Sequence, residues 1–350
     1  MHGEYGFRHP GIPAAFCAAL LFGVGTPLAK VLLADVSPWL LAGLLYLGSG
    51  VGLSLNRLVV RSSAGKLEPG QWPWLAGAIA AGGVVGPVLL MFGLTGMPAS
   101  GASLLLNAEG VFTALLAWFA FRENCGPRIA LGMIAIVFGA IVLSWPGEAR
   151  FSSVWPALAI LGACLAWGID NNLTRKVALA DATWIASIKG LAAGGVNLTL
   201  AFISGADWPS LRTVLEAMSV GCLAYGASLV LFVKALRHLG TARTGAYFSV
   251  APFFGALVAI PLLGEPVSGR LLIAGLLMGL GVWLHLTERH RHAHEHDALE
   301  HDHEHTHDIH HQHDHGEHVI PGRKHHHPHR HEALAHEHEH FPDAHHSHGH

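Results

Sequence analysis

Long apolar runs dominate the first 289 residues of this 350-residue chain. Open β-strands cannot form such runs in lipid, because hydrocarbon offers no hydrogen-bonding partner to unpaired backbone groups. The pattern therefore predicts an all-α membrane protein, and it excludes a soluble enzyme with a surface-exposed active site. Ten runs are long enough for a helix to cross about 30 Å of hydrocarbon: 12–33, 38–60, 72–95, 98–121, 127–145, 154–175, 182–204, 212–236, 241–263 and 267–288.

Charged residues are scarce in the apolar part and crowded after it. Only 13% of the chain is charged, about half of what a soluble domain carries. Of the 29 histidines, 25 lie in residues 290–350, interleaved with Asp and Glu. The chain therefore divides into a membrane part and a strongly polar tail at 289–350, and the acidic charge of this tail argues against a nucleic-acid partner.

Lys and Arg residues in the short connections predict the orientation of the bundle. With the N-terminus in the cytoplasm, twelve of them fall on the cytoplasmic side and three on the external side, namely Arg150, Arg212 and Arg270. Short cytoplasmic loops carry the excess of positive charge in membrane proteins. Both termini, and with them the tail, are therefore predicted to be cytoplasmic.

The two halves of the membrane part repeat each other. At an offset of 142 residues, for example, Glu123 coincides with Glu265. We predict one five-helix repeat at 11–145 and a second at 154–288. Because five is an odd number, the second repeat is inserted upside down relative to the first. Inverted repeats around one midplane site are the usual construction of a secondary transporter.

With these features the membrane part resembles the EamA permeases of the drug/metabolite transporter superfamily. The resemblance rests on the duplicated halves, on Trp167-Gly168 early in the second half, and on the helix-end sequences Arg122-Glu123 and Leu263-Gly264-Glu265-Pro266. It implies a multi-pass carrier of a bacterial or archaeal inner membrane that exports amino acids or other small metabolites.

One departure from the family pattern lies in the fourth span. Relatives often have a proline midway along this span, where the chain has Asn107-Ala108-Glu109-Gly110. The matching place in the ninth span reads Ala251-Pro252. The resemblance therefore implies a substrate site that is less symmetric here than in relatives.

Polar side chains inside the spans are the candidate site residues, because an ionisable group in hydrocarbon costs a few kcal/mol. Glu109, near the midplane, is predicted to bind an amino group or a proton; the alternative is a paired glutamate that locks two helices together. For Asp170 and Asn171 the alternative is a polar helix end, and for Lys30 it is a side chain that snorkels outward. The predicted substrate and proton path consists of Glu109, Asn107, Asp170, Asn171 and Lys30.

Three other charged residues have structural predictions. Lys189, about two turns inside the seventh span, is predicted to snorkel inward. Glu123 and Glu265 stand at pseudo-equivalent helix ends. Each of these glutamates is predicted to cap the amides of the helix that follows it.

The tail has too little apolar content to build a packed core, so it is predicted to be disordered. Neutral imidazole is a preferred ligand of several divalent metals, and the tail is predicted to bind Zn, Ni, Co or Cu ions. No other cofactor is expected. The metal-binding set is taken as His301, His303, His305, His307, His310, His311, His313 and His315.

Three functions are compatible with these observations. The first is export of a small organic metabolite, such as an amino acid, by alternating access. The second is efflux of a divalent transition metal fed by the tail, and the third is a membrane-anchored metal buffer or sensor. No nucleophile–base set suggests an enzyme, and no GxxxxGK[ST] motif suggests ATP hydrolysis. The expected partners are the lipid bilayer and a small-molecule substrate, and the oligomeric state, a homodimer included, stays open.

Overall fold

The structure is a computed structural model. It describes residues 11–60, 67–121, 127–145, 154–177 and 181–287 of the membrane part, and 290–296, 300–305, 325–330 and 334–340 of the tail. The described residues of the membrane part and those of the tail belong to two separate units.

The described residues of the membrane part are helical, as the sequence predicts. Eight helical segments of this part are long and apolar enough to cross a membrane, and Ala251–Leu263 is a shorter apolar helix. Two π-helical segments, Ile79–Val85 and Cys222–Ala227, join neighbouring α-helices into longer spans. The α-helices are α1 (Gly11–Leu32), α2 (Pro38–Val60), α3 (Trp72–Ala78), α4 (Gly86–Gly96), α5 (Ala99–Leu105), α6 (Ala108–Phe121), α7 (Pro127–Ser144), α8 (Trp155–Thr174), α9 (Ala182–Ile203), α10 (Leu211–Gly221), α11 (Ser228–Phe248), α12 (Ala251–Leu263) and α13 (Gly269–Leu286).

Helix α11 contains the reversal between the predicted eighth and ninth spans. The rings of Phe232 and Phe248 have centroids 4.9 Å apart. In a straight helix, residues this far apart in sequence would be separated by about 24 Å. The chain therefore doubles back inside α11. The sequence predicts a connection between the two spans at 237–240, but the structure has no break between helices there.

The packing of the helices follows a two-fold pattern. Helix α1, which opens the first half, packs against α11 and α12, and α8, which opens the second half, packs against α4 and α6. Helix α2 packs against α9, and α7 packs against α13. For each of these contacts, exchanging the equivalent helices of the two halves gives another contact of the set or the same one.

Irregularities in the helices also recur at nearly the same offset as the sequence repeat. The two π-helical segments begin at Ile79 and Cys222, which are 143 residues apart. The fourth span is broken at 106–107, between α5 and α6, and the ninth is broken at 249–250, between α11 and α12. Two discontinuous spans therefore occupy equivalent positions in the two halves.

Glycines allow the closest helix crossings. A Cβ atom built on Gly132 of α7 would lie 2.8 Å from the carbonyl oxygen of Gly281 on α13, and one built on Gly281 would lie 2.6 Å from the carbonyl oxygen of Gly132. Small residues let helix backbones approach in membranes, so any larger residue at this crossing would separate α7 from α13.

Two sides of the bundle can be told apart by their interhelical contacts. On one side Lys30, near the end of α1, reaches the end of α4. On the other side Arg57, in the last turn of α2, pairs with Asp181 at the start of α9. We call these the distal side and the proximal side, respectively.

The tail contains two pairs of short strands. Strands β1 (His290–His296) and β4 (Leu334–His340) pair antiparallel, as do β2 (Glu300–His305) and β3 (His325–Arg330). A two-stranded ladder by itself is only marginally stable in water. These ladders are therefore compatible with a tail that has no packed core, and the helical fold belongs to the membrane part.

Candidate functional site

Glu109 lies in the first turn of α6, directly after the break in the fourth span. The side-chain amide of Asn171, on α8, donates to Glu109 Oε1 at 2.9 Å and to Thr113 Oγ1 at 3.2 Å. Glu109 is half-buried, whereas Asn171 is exposed. The structure thus brings together two of the residues that the sequence places on the path, and it adds Thr113, one helical turn after Glu109.

Asn107 lies at the break between α5 and α6. Its side chain is buried, and its Nδ2 atom donates to the carbonyl oxygen of Leu104 at 2.8 Å. This contact satisfies a carbonyl at the end of α5, where the helix stops. Asn107 therefore stabilises the break in the fourth span, at the position where relatives often have a proline.

Asp170 and Lys189 form a buried ion pair between α8 and α9. The Nζ atom of Lys189 lies 2.5 and 2.7 Å from the two carboxylate oxygens of Asp170, and the side chains are 17% and 10% exposed, respectively. Thr174 Oγ1 donates to Asp170 Oδ1 at 2.8 Å. The prediction that Lys189 snorkels inward is wrong, because a buried carboxylate on the neighbouring helix offers it a stronger partner than the interface does.

Room for this ion pair comes from a glycine in the π-helical segment of the third span. A Cβ atom built on Gly82 would lie 1.9 Å from Asp170 Oδ2. The carboxylate of Asp170 therefore occupies the space that any other residue at position 82 would fill.

The same π-helical segment exposes carbonyl oxygens that accept side-chain hydrogen bonds. The hydroxyl of Tyr46 and the indole of Trp167 donate to the carbonyl oxygen of Gly82 at 2.7 and 2.9 Å. The buried amide of Asn197 donates to the carbonyl oxygen of Gly83 at 2.9 Å. A π-bulge is frequent at functional sites, and here it gathers side chains from three other spans. Sequence reasoning missed it; the one signal was the Gly82-Gly83 pair.

An aromatic cluster adjoins this polar region. Ring centroids of Phe22 and Tyr225 are 5.7 Å apart, and those of Tyr46 and Tyr225 are 5.9 Å apart. Tyr46 in turn donates to the carbonyl oxygen of Gly82, the residue against which the carboxylate of Asp170 packs. Aromatic rings therefore lie close to the ion pair of Asp170 and Lys189, which provides apolar surface beside a charged group.

Lys30 lies away from these residues, on the distal side. Its Nζ atom donates to the carbonyl oxygen of Leu94 and, at 3.2 Å, to that of Met97, at the end of α4. The structure therefore does not bring Lys30 together with Glu109. Lys30 also does more than snorkel outward, because its ammonium group binds the carbonyls at the end of α4.

Glu265 caps a helix other than the predicted one. Its carboxylate accepts hydrogen bonds from the backbone amides of Ala99 at 2.6 Å and Ser100 at 2.9 Å, at the start of α5. The helix that follows Glu265 is capped by Ser268, whose hydroxyl accepts from the amide of Leu271 at 3.2 Å. The prediction for Glu265 is therefore wrong in its target. Glu123 lies outside the described residues.

The predicted metal-binding histidines lie only partly in the described tail. His301, His303 and His305 belong to β2, where their backbones pair with His329, His327 and His325, respectively. Among the residues that the structure describes, no group of three or more metal-ligating side chains comes together. The other members of the set, His307, His310, His311, His313 and His315, fall outside the described residues.

The comparison with known families decides the class of the protein. Residues 9–145 and 154–287 each match the EamA-like transporter family. The chain belongs to this family. Its two halves are therefore copies of one family unit, and the protein is a multi-pass membrane transporter for a small molecule.

Individual relatives and a solved structure agree with this assignment. An uncharacterised transporter of Methanothermobacter thermautotrophicus is 28% identical over 302 residues, which cover 81% of this chain and 88% of the relative. A protein of Streptantibioticus cattleyicolor named as a probable terminal-alkyne amino-acid exporter is 29% identical over 68% of this chain and 84% of its own. A crystal structure at 20% identity has the same fold, with a TM-score of 0.60 over 79% of this chain and 96% of that chain.

Proposed function

We propose that this EamA-like transporter exports a small organic metabolite with an amino group, of the amino-acid class, by alternating access. The name of the Streptantibioticus relative, an amino-acid exporter, supports this class. In the proposed orientation the protein lies in a bacterial inner membrane with both termini in the cytoplasm. The proximal side then faces the cytoplasm, and the distal side faces outward.

One observation carries the proposal: Glu109 receives its hydrogen bond from a neutral amide. Among the described residues Glu109 has no ion-pair partner, whereas the carboxylate of Asp170 is neutralised by Lys189. The region therefore carries one carboxylate whose charge has no cationic side chain bound to it. A cationic group from outside the protein, or a proton, supplies the missing charge.

The chemistry follows from this charge balance. An ammonium group of the substrate and a proton compete for the same carboxylate oxygens of Glu109, so that the site holds one or the other. Exchange of one substrate for one proton then returns Glu109 to its starting state and couples export to the inward proton gradient. The exposed amide of Asn171 orients the carboxylate in both states, since it donates to the oxygen without competing for the cation.

The irregular helices supply the flexibility that alternating access requires. Discontinuous helices surround the substrate sites of many secondary transporters. Here the π-helical turn at Gly82 lies against Asp170, and the break at 106–107 lies directly before Glu109. Glu109 is thus placed where the backbone of its own span is interrupted.

Efflux from proteoliposomes tests this function. We expect wild-type protein in liposomes, loaded with each radiolabelled proteinogenic L-amino acid in turn, to release at least one of them faster when the outside is acidified. We expect Glu109→Gln to abolish both the efflux and its pH dependence. The matched control is Glu216→Gln, which removes an exposed carboxylate on α10 and leaves the efflux unchanged.

Two outcomes would contradict the proposal. Unaltered efflux and pH dependence in Glu109→Gln would remove the role of Glu109. Failure of the wild-type protein to release any proteinogenic amino acid would remove the amino-acid assignment.

The composition of the tail favours a second, separate activity. We propose that the histidine-rich tail binds divalent ions such as Zn, Ni, Co or Cu and buffers them at the cytoplasmic face. Histidines at every second position place several imidazoles close enough together to bind one ion. The tail would then act beside the transporter rather than as its substrate site.

Cellular metal content separates this activity from metal export. Cells under nickel or zinc load would express the wild-type chain, Glu109→Gln, or a chain that ends at Arg289. We expect only the tail deletion to lower the retained metal. If Glu109→Gln alone raised it, the bundle would export metal and the organic substrate would be the wrong choice.

A further inference from the structure

The turn that joins α4 to α5 on the distal side is held by two opposite charges from different helices. Lys30, near the end of α1, donates to the last carbonyls before the turn, those of Leu94 and Met97. Glu265, in the loop between α12 and α13, accepts from the first amides after it, those of Ala99 and Ser100. One turn of backbone thus receives both a cation and an anion.

Each charge meets the backbone groups that suit it. The last carbonyls of a helix and the first amides of the next have no intrahelical partner, and they attract a cation and an anion, respectively. Lys30 and Glu265 carry opposite charges and bind the two ends of the same turn. The arrangement therefore satisfies backbone groups that would otherwise be unpaired at the membrane surface.

One of the two contacts ties the halves of the transporter together: Glu265 belongs to the second half, whereas Lys30 and the turn belong to the first. Lys30 belongs to the first span, the turn joins the third and fourth spans, and Glu265 precedes the tenth. Just below the turn, α1, α5 and α12 are in close contact: a Cβ atom built on Gly255 would lie 2.6 Å from Ser103 Oγ and 2.7 Å from the carbonyl oxygen of Gly23. These three helices therefore leave no space between them for a residue larger than glycine at position 255.

The surroundings of Glu109 are more open. A Cβ atom built on Gly110 would meet nothing within 4 Å, and both Gly110 and Asn171 are exposed. The close packing at Ser103 therefore contrasts with the exposure of Gly110 and Asn171.

We propose that Lys30 and Glu265 form a distal latch, which holds the transporter shut on that side and which must be released before the substrate site opens there. The inference rests on the alternating access of the proposed function. It assigns Lys30 a gating role, in place of the substrate contact that the sequence predicts. Opening on the distal side requires both Lys30 and Glu265 to leave the backbone groups of this turn. Loss of either contact is therefore expected to make opening faster.

Thiol labelling at a buried reporter tests the latch without any substrate. The parent chain has its four cysteines replaced by alanine and carries Ser103→Cys, at a position that is 1% exposed. The protein is placed in lipid nanodiscs and treated with a charged maleimide. We expect Lys30→Met and Glu265→Gln each to raise the labelling rate by about tenfold, because each removes a charge-assisted hydrogen bond from the closed state.

Matched variants separate loss of the latch from general damage. Lys30→Arg keeps a cation that can donate to the same carbonyls, and we expect the slow labelling of the parent. Arg270→Met removes another distal cation, whose Nη1 atom donates to the carbonyl oxygen of Trp145 at 2.9 Å, and should also label slowly. Glu265→Gln keeps the size and polarity of the side chain, so it serves if Lys30→Met fails to fold.

The labelling result tests the latch independently of the proposed amino-acid substrate. Labelling in Lys30→Met and Glu265→Gln at the rate of the parent would overturn the latch, whatever the protein transports. Fast labelling in both variants, with slow labelling in Lys30→Arg and Arg270→Met, would establish it even if no amino acid is exported.

Discussion

Asp170 and Glu109 are carboxylates on two helices that pack against each other, yet their surroundings differ. Asp170 is bound by Lys189 and Thr174, and its charge is neutralised within the protein. Glu109 is bound by the neutral amide of Asn171. Two adjacent residues of α8 therefore contact different helices. Asp170 pairs with Lys189 of α9, whereas the side-chain amide of Asn171 donates to Glu109 of α6.

This difference in partners predicts different roles for the two carboxylates. A buried charge that is fully paired contributes to the fold, and removal of one partner leaves the other charge without compensation. A carboxylate with only neutral partners can exchange its counter-charge without disturbing the packing. Under the proposed function Glu109 takes part in transport, and we expect Asp170 to contribute to stability, although the sequence places both on one path.

The largest expected effect contrasts the same chemical change at the two carboxylates. Asp170→Asn leaves Lys189 buried without a counter-charge, and we expect it to lower the free energy of unfolding by about 3–5 kcal/mol. Glu109→Gln leaves no unpaired cation among the described residues, and we expect a change within about 1 kcal/mol. Denaturant titration of the detergent-solubilised protein measures both. Equal losses at the two positions would show that the distinction is wrong.

A second substitution in the ion pair sharpens this contrast. Asp170→Asn combined with Lys189→Met removes both charges, so we expect the double variant to recover about 2 kcal/mol of the free energy of unfolding that Asp170→Asn loses. The same titration measures the coupling. Lys234→Met, which removes an exposed lysine of α11, is the control and should recover nothing in the Asp170→Asn background.

Gly82→Ala tests whether the π-helical segment holds Asp170 in place. The added Cβ atom would lie 1.9 Å from Asp170 Oδ2, so we expect a loss of about 1–3 kcal/mol in the free energy of unfolding. Gly195→Ala is the control, because a Cβ atom at this position of α9 would meet nothing within 4 Å and should not destabilise the helix. A smaller loss for Gly82→Ala in the Asp170→Ala background would confirm the clash; an undiminished loss would exclude it.

The smallest effect concerns the ion pair at the proximal surface. Asp181 caps α9 and lies 2.9 Å from Arg57. Partial burial acts to raise the pKa of Asp181, but the amide of Trp184 and the guanidinium of Arg57 outweigh it and hold the pKa below its ordinary value. A lowered folded-state pKa means that the contribution to stability is present above the unfolded-state pKa of about 4 and is lost as the pH falls through the folded-state pKa.

Asp181→Asn should therefore reduce the free energy of unfolding by about 0.5–1 kcal/mol at neutral pH, since the carboxylate is partly exposed and screened by solvent. The difference from the wild type should shrink as the pH is lowered from 5 toward 3. Titrations at several pH values measure it, and a difference that grew at low pH would contradict the assigned direction of the pKa shift.

Much of the fold followed from the sequence alone. The positions of the membrane helices depend on hydropathy along the chain, and the duplication depends on residue identities at one offset, so neither needs a three-dimensional argument. Glu109 and Asn171 were also found in this way, because polar residues in apolar helices are rare and costly. The pairing of Asp170 was not, since it depends on a lysine 19 residues later on another helix.

What the sequence by itself determined is therefore the all-helical membrane fold, the repeat and the short set of polar residues that require a partner in lipid. Only the tertiary structure decided which partner each of them has: Lys189 for Asp170, Asn171 for Glu109, the end of α4 for Lys30 and the start of α5 for Glu265. The physical reason is that a partner is chosen by the rotation and packing of neighbouring helices. The rotation and packing depend on contacts between glycines and side chains of distant spans, such as Gly82 against Asp170. Such contacts cannot be predicted from the hydropathy pattern of either helix.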